Sequence, residues 1–320
     1  MKKFLATLLT AGTLLFASTA DAEIRTYEGS DEYIMSEFET IDIAKQRAKQ
    51  KAERVAVESA GVFVESTTEV VNMMVTKDEI FTMAGGILKI VDVQYKLTPL
   101  DDGKSLIVRA TVKADIDTDD IAKWLNRKPG ERSELVAQNK DLQAAIDAQD
   151  KQIAELKARL DAAENGQAKE KIAEQFAAED KIFKANQKVE YALKLYYAGN
   201  LNGALESCTQ AINDNENSAL AYSLRGTIYY QLGQYQNAVD DLTQAAVFNR
   251  SDEKIFYNRA LAYIKLQDYR SAAIDFTSAI QLNPNDADAY YNRALCWQRL
   301  QNIPQFNADL AKARALGYKI

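Results

Sequence analysis

Small residues recur every 34 positions in the C-terminal third of the chain: Ala192, Gly226, Ala260 and Ala294 form one series, and Ala211, Ala245, Ala279 and Ala313 a second. An interval of that length restricts the fold sharply, because each interval is one supersecondary unit that cannot bury its apolar face alone and must stack on its neighbours. In the unit that starts at Ala219, the residues Tyr222, Gly226 and Tyr229 share one face of a first helix, and Ala238, Leu242 and Ala245 share one face of a second. The next unit repeats this with Phe256, Ala260, Tyr263, Ala272, Phe276 and Ala279, and Asn283-Pro284-Asn285 closes it where a helix should stop. Tyr290, Ala294, Trp297, Leu310 and Ala313 carry the pattern through a further unit. Small residues alternate with aromatics, as interlocking helix pairs require. The expectation is an all-α solenoid of four two-helix units, at about 185–218, 219–252, 253–286 and 287–320.

The segments Arg225-Gly226, Asn258-Arg259-Ala260 and Asn292-Arg293-Ala294, with Gly233-Gln234-Tyr235 at an inter-helix turn, resemble the tetratricopeptide repeat family from about Ala185 to Ala315. The end units depart from the pattern, at Leu195 and Cys208 in the first and at Pro304 and Phe306 in the last, as expected of units that cap a stack against water. The resemblance implies a concave groove made by the first helices, which holds a protein or peptide partner. It places Tyr196, Tyr197, Leu224, Tyr230, Lys254, Tyr257, Asn258, Ile264, Tyr291, Asn292 and Arg299 in that groove. Asparagine can grip a peptide backbone as both donor and acceptor, and tyrosine supplies rigid, half-apolar contact area. Some members of the family clamp a terminal carboxylate, but the five clamp positions here read Val189, Leu193, Leu224, Lys254 and Asn258, and only Lys254 matches. An internal segment or a folded partner suits this groove better. Arg225, Arg259 and Arg293 also recur at one position. They read either as a basic ladder for an acidic partner or as packing pairs with residues such as Asp240, Asp241 and Asp275, and the second reading is preferred because repeats copy their own packing.

At the other end, Lys2 and Lys3 precede an apolar run from Phe4 to Phe16, followed by Ala20-Asp21-Ala22. This reads as a signal peptide over residues 1–22, cleaved after Ala22, since the run is shorter than the roughly 20 residues of a spanning helix. The mature chain is expected to be periplasmic or envelope-associated, with no transmembrane anchor. The chain has no histidine, which removes the commonest general base, zinc ligand and near-neutral switch together. No metal, cofactor or catalytic residue is expected. Cys208 and Cys296 lie in different units, with two units between them, so they read as packed thiols. A formal net charge of −7, more negative once Lys2 and Lys3 leave with the leader, argues against nucleic acid as partner.

Residues 23–127 read as an α+β domain. Ala44, Ala48, Ala52, Ala56 and Ala60 mark a closely packed helix that Gly61 should end. Val91, Val93, Tyr95 and Leu97, then Leu106, Val108, Ala110 and Val112, alternate with polar residues on either side of Asp101-Asp102-Gly103, which predicts a hairpin. Glu39-Thr40, Ala60-Gly61-Val62-Phe63-Val64-Glu65-Ser66, Lys77-Asp78-Glu79-Ile80 and Gly85-Gly86-Ile87-Leu88 resemble the N-terminal domain of flagellar assembly protein T and related envelope domains, over roughly residues 28–116. That resemblance implies an accessory module without catalysis. The alternative is an envelope enzyme or substrate-binding protein working through Glu65, Asp78 and Glu79.

Lys128-Pro129-Gly130 breaks the chain before a heptad segment, the linker and coiled coil of residues 128–170. Leu135, Leu142 and Leu156 fall in one phase and Asn139, Ile146, Ile153 and Leu160 in the other, with Gln149 as a polar interruption. The segment predicts a two-stranded coil that makes a homodimer, with Asn139 setting register. The competing readings are one helix that extends the solenoid or packs back on a neighbour. Lys140, Asp141, Glu155, Lys157 and Arg159 read as its solvated face. The chain as a whole is thus expected to be multidomain, with signal peptide, α+β domain, coiled coil and an all-α tetratricopeptide solenoid over 171–320. Its expected role is that of a non-enzymatic adaptor or scaffold.

Overall fold

A computed structural model describes residues 23–70, 75–100, 105–163 and 166–319; the leader and the Asp101-Asp102-Gly103 turn lie outside the described residues. The first elements are β1 (Ile24–Met35), α1 (Ile41–Val70), α2 (Lys77–Ile87), β2 (Lys89–Pro99), β3 (Leu106–Asp117) and α3 (Thr118–Leu125). The strands form one antiparallel sheet in the order β1-β3-β2, with Val93 opposite Val112 and Leu97 opposite Val108. The five alanines of α1 are fully buried against Val108, Ala110 and Val112 of β3 and their neighbours. Because that helix face carries only methyl groups, the sheet approaches its backbone. A Cβ placed on Gly29 of β1 would lie 2.1 Å from the Ala52 carbonyl oxygen.

Gly61 does not end α1, which continues to Val70. Val64 and Thr68 extend the same buried stripe, and that packing outweighs the roughly 1 kcal/mol that a glycine costs inside a helix.

Next come α4 (Pro129–Asp161) and α5 (Gly166–Tyr197), which fold back on each other. Here the expectation of a dimeric coil is corrected, because the heptad seam is consumed within the chain. Ile153, Leu156 and Leu160 are buried with Ile172 and Phe176 against α1 and β3. Leu135 and Leu142 are buried with Val189, Leu193, Leu224 and Ile228, and Ile146 packs at the edge of that cluster. Asn139 donates to the Thr82 hydroxyl at 3.3 Å instead of meeting a second copy of itself. Gln149 is buried because its amide donates to the Glu179 carbonyl of α5 at 2.9 Å. Nor is the charged face solvated throughout. Lys140 pairs with Asp78 at the exposed surface, but Lys157 reaches the buried Glu39 and its ammonium lies 3.9 Å from the Tyr33 ring centroid. Arg47 of α1 closes the same buried cluster, 3.5 Å from Glu39 and 3.0 Å from Asp180 of α5, and the Tyr33 hydroxyl donates to Glu39.

The end of α5 is the first helix of the solenoid, followed by α6 (Leu201–Asp214), α7 (Ala219–Gln231), α8 (Tyr235–Phe248), α9 (Glu253–Lys265), α10 (Tyr269–Leu282), α11 (Ala287–Arg299) and α12 (Ile303–Ala315). Both small-residue series sit at the buried helix contacts. The side chains of Ser218, Asp252 and Asp286, 34 apart, cap α7, α9 and α11. Pro304 is accommodated because it falls in the first turn of α12, where its missing N–H is no loss.

The arginine series is structural. Arg225, Arg259 and Arg293 each grip the aspartate 16 residues on, Asp241, Asp275 and Asp309, through two bonds of 2.6–2.8 Å. Each also donates to the threonine 16 residues back, Thr209, Thr243 or Thr277, at 3.0–3.1 Å. One side chain thus ties a first helix to its own second helix and to that of the preceding unit. Cys208 and Cys296 are free and buried, and burial pushes each thiol up to about 12.

The turn between the helices of each unit needs one residue in the left-handed region, again every 34 positions: Gly199 (φ 78°), Gly233 (77°), Gln267 (62°) and Gln301 (58°). A side chain makes that conformation costly, and glycine adopts it freely. Gln267→Gly is therefore expected to stabilise the protein by about 0.5–1 kcal/mol, read as a higher urea midpoint. Gln244→Gly, in the exposed middle of α8, should lower the midpoint by a similar amount. A fall for both would mean that the turn carries no such strain.

Candidate functional site

The concave face of the solenoid is made by the end of α5 and by α7, α9 and α11. Its first section is not open. Helix α4 lies along it, with Leu135 and Leu142 set into the apolar floor of Val189, Leu193 and Leu224. Polar contacts fix the helix. Lys254 donates to both carboxylate oxygens of Asp141, at 2.8 and 3.1 Å, and Asn258 reaches Glu134 at 3.5 Å and the Thr227 hydroxyl at 3.4 Å. The Lys254 ammonium loses hydration on burial, but Asp141, then Asp252 and Glu253, outweigh that loss and hold it above its ordinary range. Asp141, read as solvated, is thus half of the contact that seats α4.

The groove residues accordingly fall into three groups. Leu224, Lys254 and Asn258 face the groove and are engaged by α4. Tyr197 is buried between α4 and α2, beside Gly86, with its hydroxyl donating to the Leu135 carbonyl at 3.2 Å. The others lie in or beside the section that α4 leaves free. Tyr196 accepts a hydrogen bond from Gln231 and lines, with Tyr230, Thr227, Asn258 and Leu261, a cavity of about 210 Å³ beside Glu131 and Glu134 at the start of α4. Further along, Asn292 donates to the Tyr257 hydroxyl and to the Asp288 carbonyl, each at 3.0 Å, and Tyr291 stacks on Tyr318 with ring centroids 4.2 Å apart. Ile264 is half-buried against the core of the third and fourth units, and Arg299 is exposed beside the Tyr269 ring.

Sequence reasoning missed Glu134, Gln138 and Asp141 as occupants of the groove. The signal was present, since Glu134 and Asp141 are seven apart and adjacent to Leu135 and Leu142 on one helical face.

The carboxylates of the enzymatic alternative have structural positions. Glu79 completes a capping box with Thr76 at the start of α2, Asp78 pairs with Lys140, and Glu65 is exposed on α1. Among the described residues no group of three or more His, Cys, Asp or Glu side chains is arranged to hold a metal, and no helix is long and apolar enough to cross a membrane.

Burial raises the Glu134 carboxyl above its ordinary range, against the hydrogen bonds of Gln138 and Asn258 and the charge of Lys254, which pull it down. The seated helix therefore binds that proton more tightly than the unfolded chain does. The contribution is fully present below the unfolded carboxyl pKa of about 4.3 and is lost as pH rises through the raised value. Glu134→Gln is expected to melt above the wild type at pH 7, with the gap closing toward pH 4. A gap independent of pH would mean that Glu134 does not titrate in the groove.

Comparison with known proteins bears on this architecture. The family model described as TPR repeat matches residues 226–267, and the model described as Tetratricopeptide repeat matches residues 253–286. No curated protein matches the chain. Among solved structures, MamA is similar at 20% identity over 41% of this chain and 77% of that one, with a TM-score of 0.40. The first TPR of Spaghetti (RPAP3), bound to the HSP90 peptide SRMEEVD, is similar at 24% identity over 37% of this chain and 94% of that one, with a TM-score of 0.36. The Arabidopsis OM64 TPR domain is similar at 25% identity over 37% and 98%, also with a TM-score of 0.36. With the 34-residue period, the stacked helix pairs and the two family matches in agreement, the C-terminal solenoid carries tetratricopeptide repeats over residues 226–286.

Proposed function

We propose that this protein is a non-enzymatic scaffold of the cell envelope that holds a segment of another protein in the uncovered section of its concave face. The observation that carries this reading is the division of the groove. Its first section is filled by the chain's own helix, and its second presents Tyr230 and Leu261 at a cavity, with Asn292 bonded to the Tyr257 hydroxyl further along. Repeat solenoids use such faces for binding because the stacked helices display side chains on a rigid, extended surface. The filled section supplies a template for the kind of contact this face makes: leucines in the floor, with acidic side chains taken up by Lys254 and Asn258. A setting outside the cytoplasm is supported by the Lys2-Lys3 leader with its apolar run. No catalytic role is assigned, because Asp78 and Glu79 are committed to an ion pair and a helix cap.

The reading is tested with tagged full-length protein in envelope extract. Wild type should retain a defined set of partners, and Tyr230→Ala with Asn292→Ala should lose at least nine-tenths of them while keeping its helical circular dichroism. Undiminished capture by that folded double variant would place binding elsewhere on the molecule.

A further inference from the structure

Among the described residues, one edge of the sheet is left uncovered. Strand β2 packs on β3, and no other element makes extensive contact with it. Along it Val91 is 56%, Tyr95 37% and Leu97 39% exposed, and Lys96 is exposed with no ion pair among the described residues. An exposed row of backbone donors and acceptors beside apolar side chains is a template for pairing with another strand.

The residues of β2 specify which strand. The segment Val91-Asp92-Val93-Gln94-Tyr95-Lys96-Leu97 is complementary to itself when two copies run antiparallel about Gln94. That register sets Val91 opposite Leu97, Val93 opposite Tyr95 and Asp92 opposite Lys96, in two symmetric sets, with Gln94 opposite its own copy. Val93, Tyr95 and Leu97 share one face, continuous with Val112, Ala110 and Val108 of β3, so the two Val93–Tyr95 pairs extend that face, while Asp92 and Lys96 lie on the other; Val91, where the register against β3 shifts at a bulge, marks the end of the regular pairing. A shift of one residue in the pairing places apolar side chains against polar ones, and a shift of two leaves Asp92 and Lys96 unpaired. The other edge, β1, offers no such match: from Glu28 to Glu32 its charges are all acidic.

We infer that β2 is a self-association surface, through which two copies of this chain join their sheets into one of six strands. The heptad seam is consumed within the chain, so this edge is independent of it and also of what the repeat groove binds.

Sedimentation of the full chain across a concentration series tests the association. Wild type should show a concentration-dependent dimer. Asp92→Lys and Lys96→Asp each set like charges face to face and should weaken it about tenfold, and the double exchange, which restores opposite pairing, should recover it. A cysteine reports the register independently. Residues directly opposite in an antiparallel pair have Cα atoms about 4.5–5.5 Å apart, within disulfide reach. Gln94→Cys should therefore give a disulfide-linked dimer on mild oxidation, whereas Glu28→Cys on β1 should not, and the native thiols are buried. A wild type that stays monomeric at about 100 µM chain, a double exchange that fails to recover the dimer, or equal cross-linking at positions 94 and 28 would overturn the inference. So would pairing of β2 with a strand of a different protein in place of its own copy.

Discussion

Helix α4 is buried at its two ends in two different cores, and the relation between the N-terminal domain and the repeats depends on that double use. Leu135 and Leu142 complete the core at the mouth of the solenoid, and Ile153, Leu156 and Leu160 complete the one between α1, the sheet and α5. Each end fills a space that its neighbours leave. Five alanines on α1 give methyl groups where a sheet and a helical hairpin must both come close, and Gly29 removes the last obstacle on one side. The polar contacts between these bodies are specific in addition: Asp141 with Lys254 at one end, and Arg47, Glu39, Asp180 and Lys157 at the other. Ion pairs as deeply buried as Arg47 with Glu39 contribute modest net stability but penalise every arrangement that separates them, whereas the half-buried Asp141–Lys254 pair does so less.

Within the solenoid, each unit repeats one set of local solutions. In the last three units an arginine joins three helices through an aspartate ahead and a threonine behind and an Asp or Ser side chain caps the first helix, and in all four one left-handed residue turns the chain between helices. Removing one partner of the Arg259–Asp275 pair would strand a buried charge, at a cost of about 3 kcal/mol. Repetition of that contact explains why arginine recurs without being part of a binding surface.

The repeats were legible from residues alone because small residues at a fixed interval have few physical causes. The hairpin was legible for a similar reason, since alternation with period two marks a sheet with one buried face. Helix α4 was legible as a helix and misread as an interface. A heptad of leucine and isoleucine states which face is apolar but not whose core receives it, and the alternative of packing back on a neighbour has the same pattern. Gln149 held the clue: a polar residue in the seam is costly between two identical helices, and here a carbonyl of α5 satisfies it. Gly61 was misread because a glycine after an alanine stripe resembles a helix end unless the later stripe at Val64 and Thr68 is weighed. In the groove, the inward positions could be named from the repeat, and the leucines and carboxylates of α4 mark a face ready to dock, but a contact between residues 113 apart, such as Asp141 with Lys254, has no local pattern that tells where that face goes. Tyr197 shows the limit of assigning a face by repeat position at the first unit, where α2 and α4 replace the missing neighbour.

The central claim is that α4 belongs to the concave face of the repeats and divides it. Amide hydrogen exchange on the full chain measures this directly. Amides 135–146 are expected to be protected as strongly as those of α7 and α9. Lys254→Glu with Asn258→Ala should speed exchange over 135–146, while 153–160, buried in the other core, stays protected. Rapid exchange of 135–146 in the wild type, or no response to that double substitution, would contradict it.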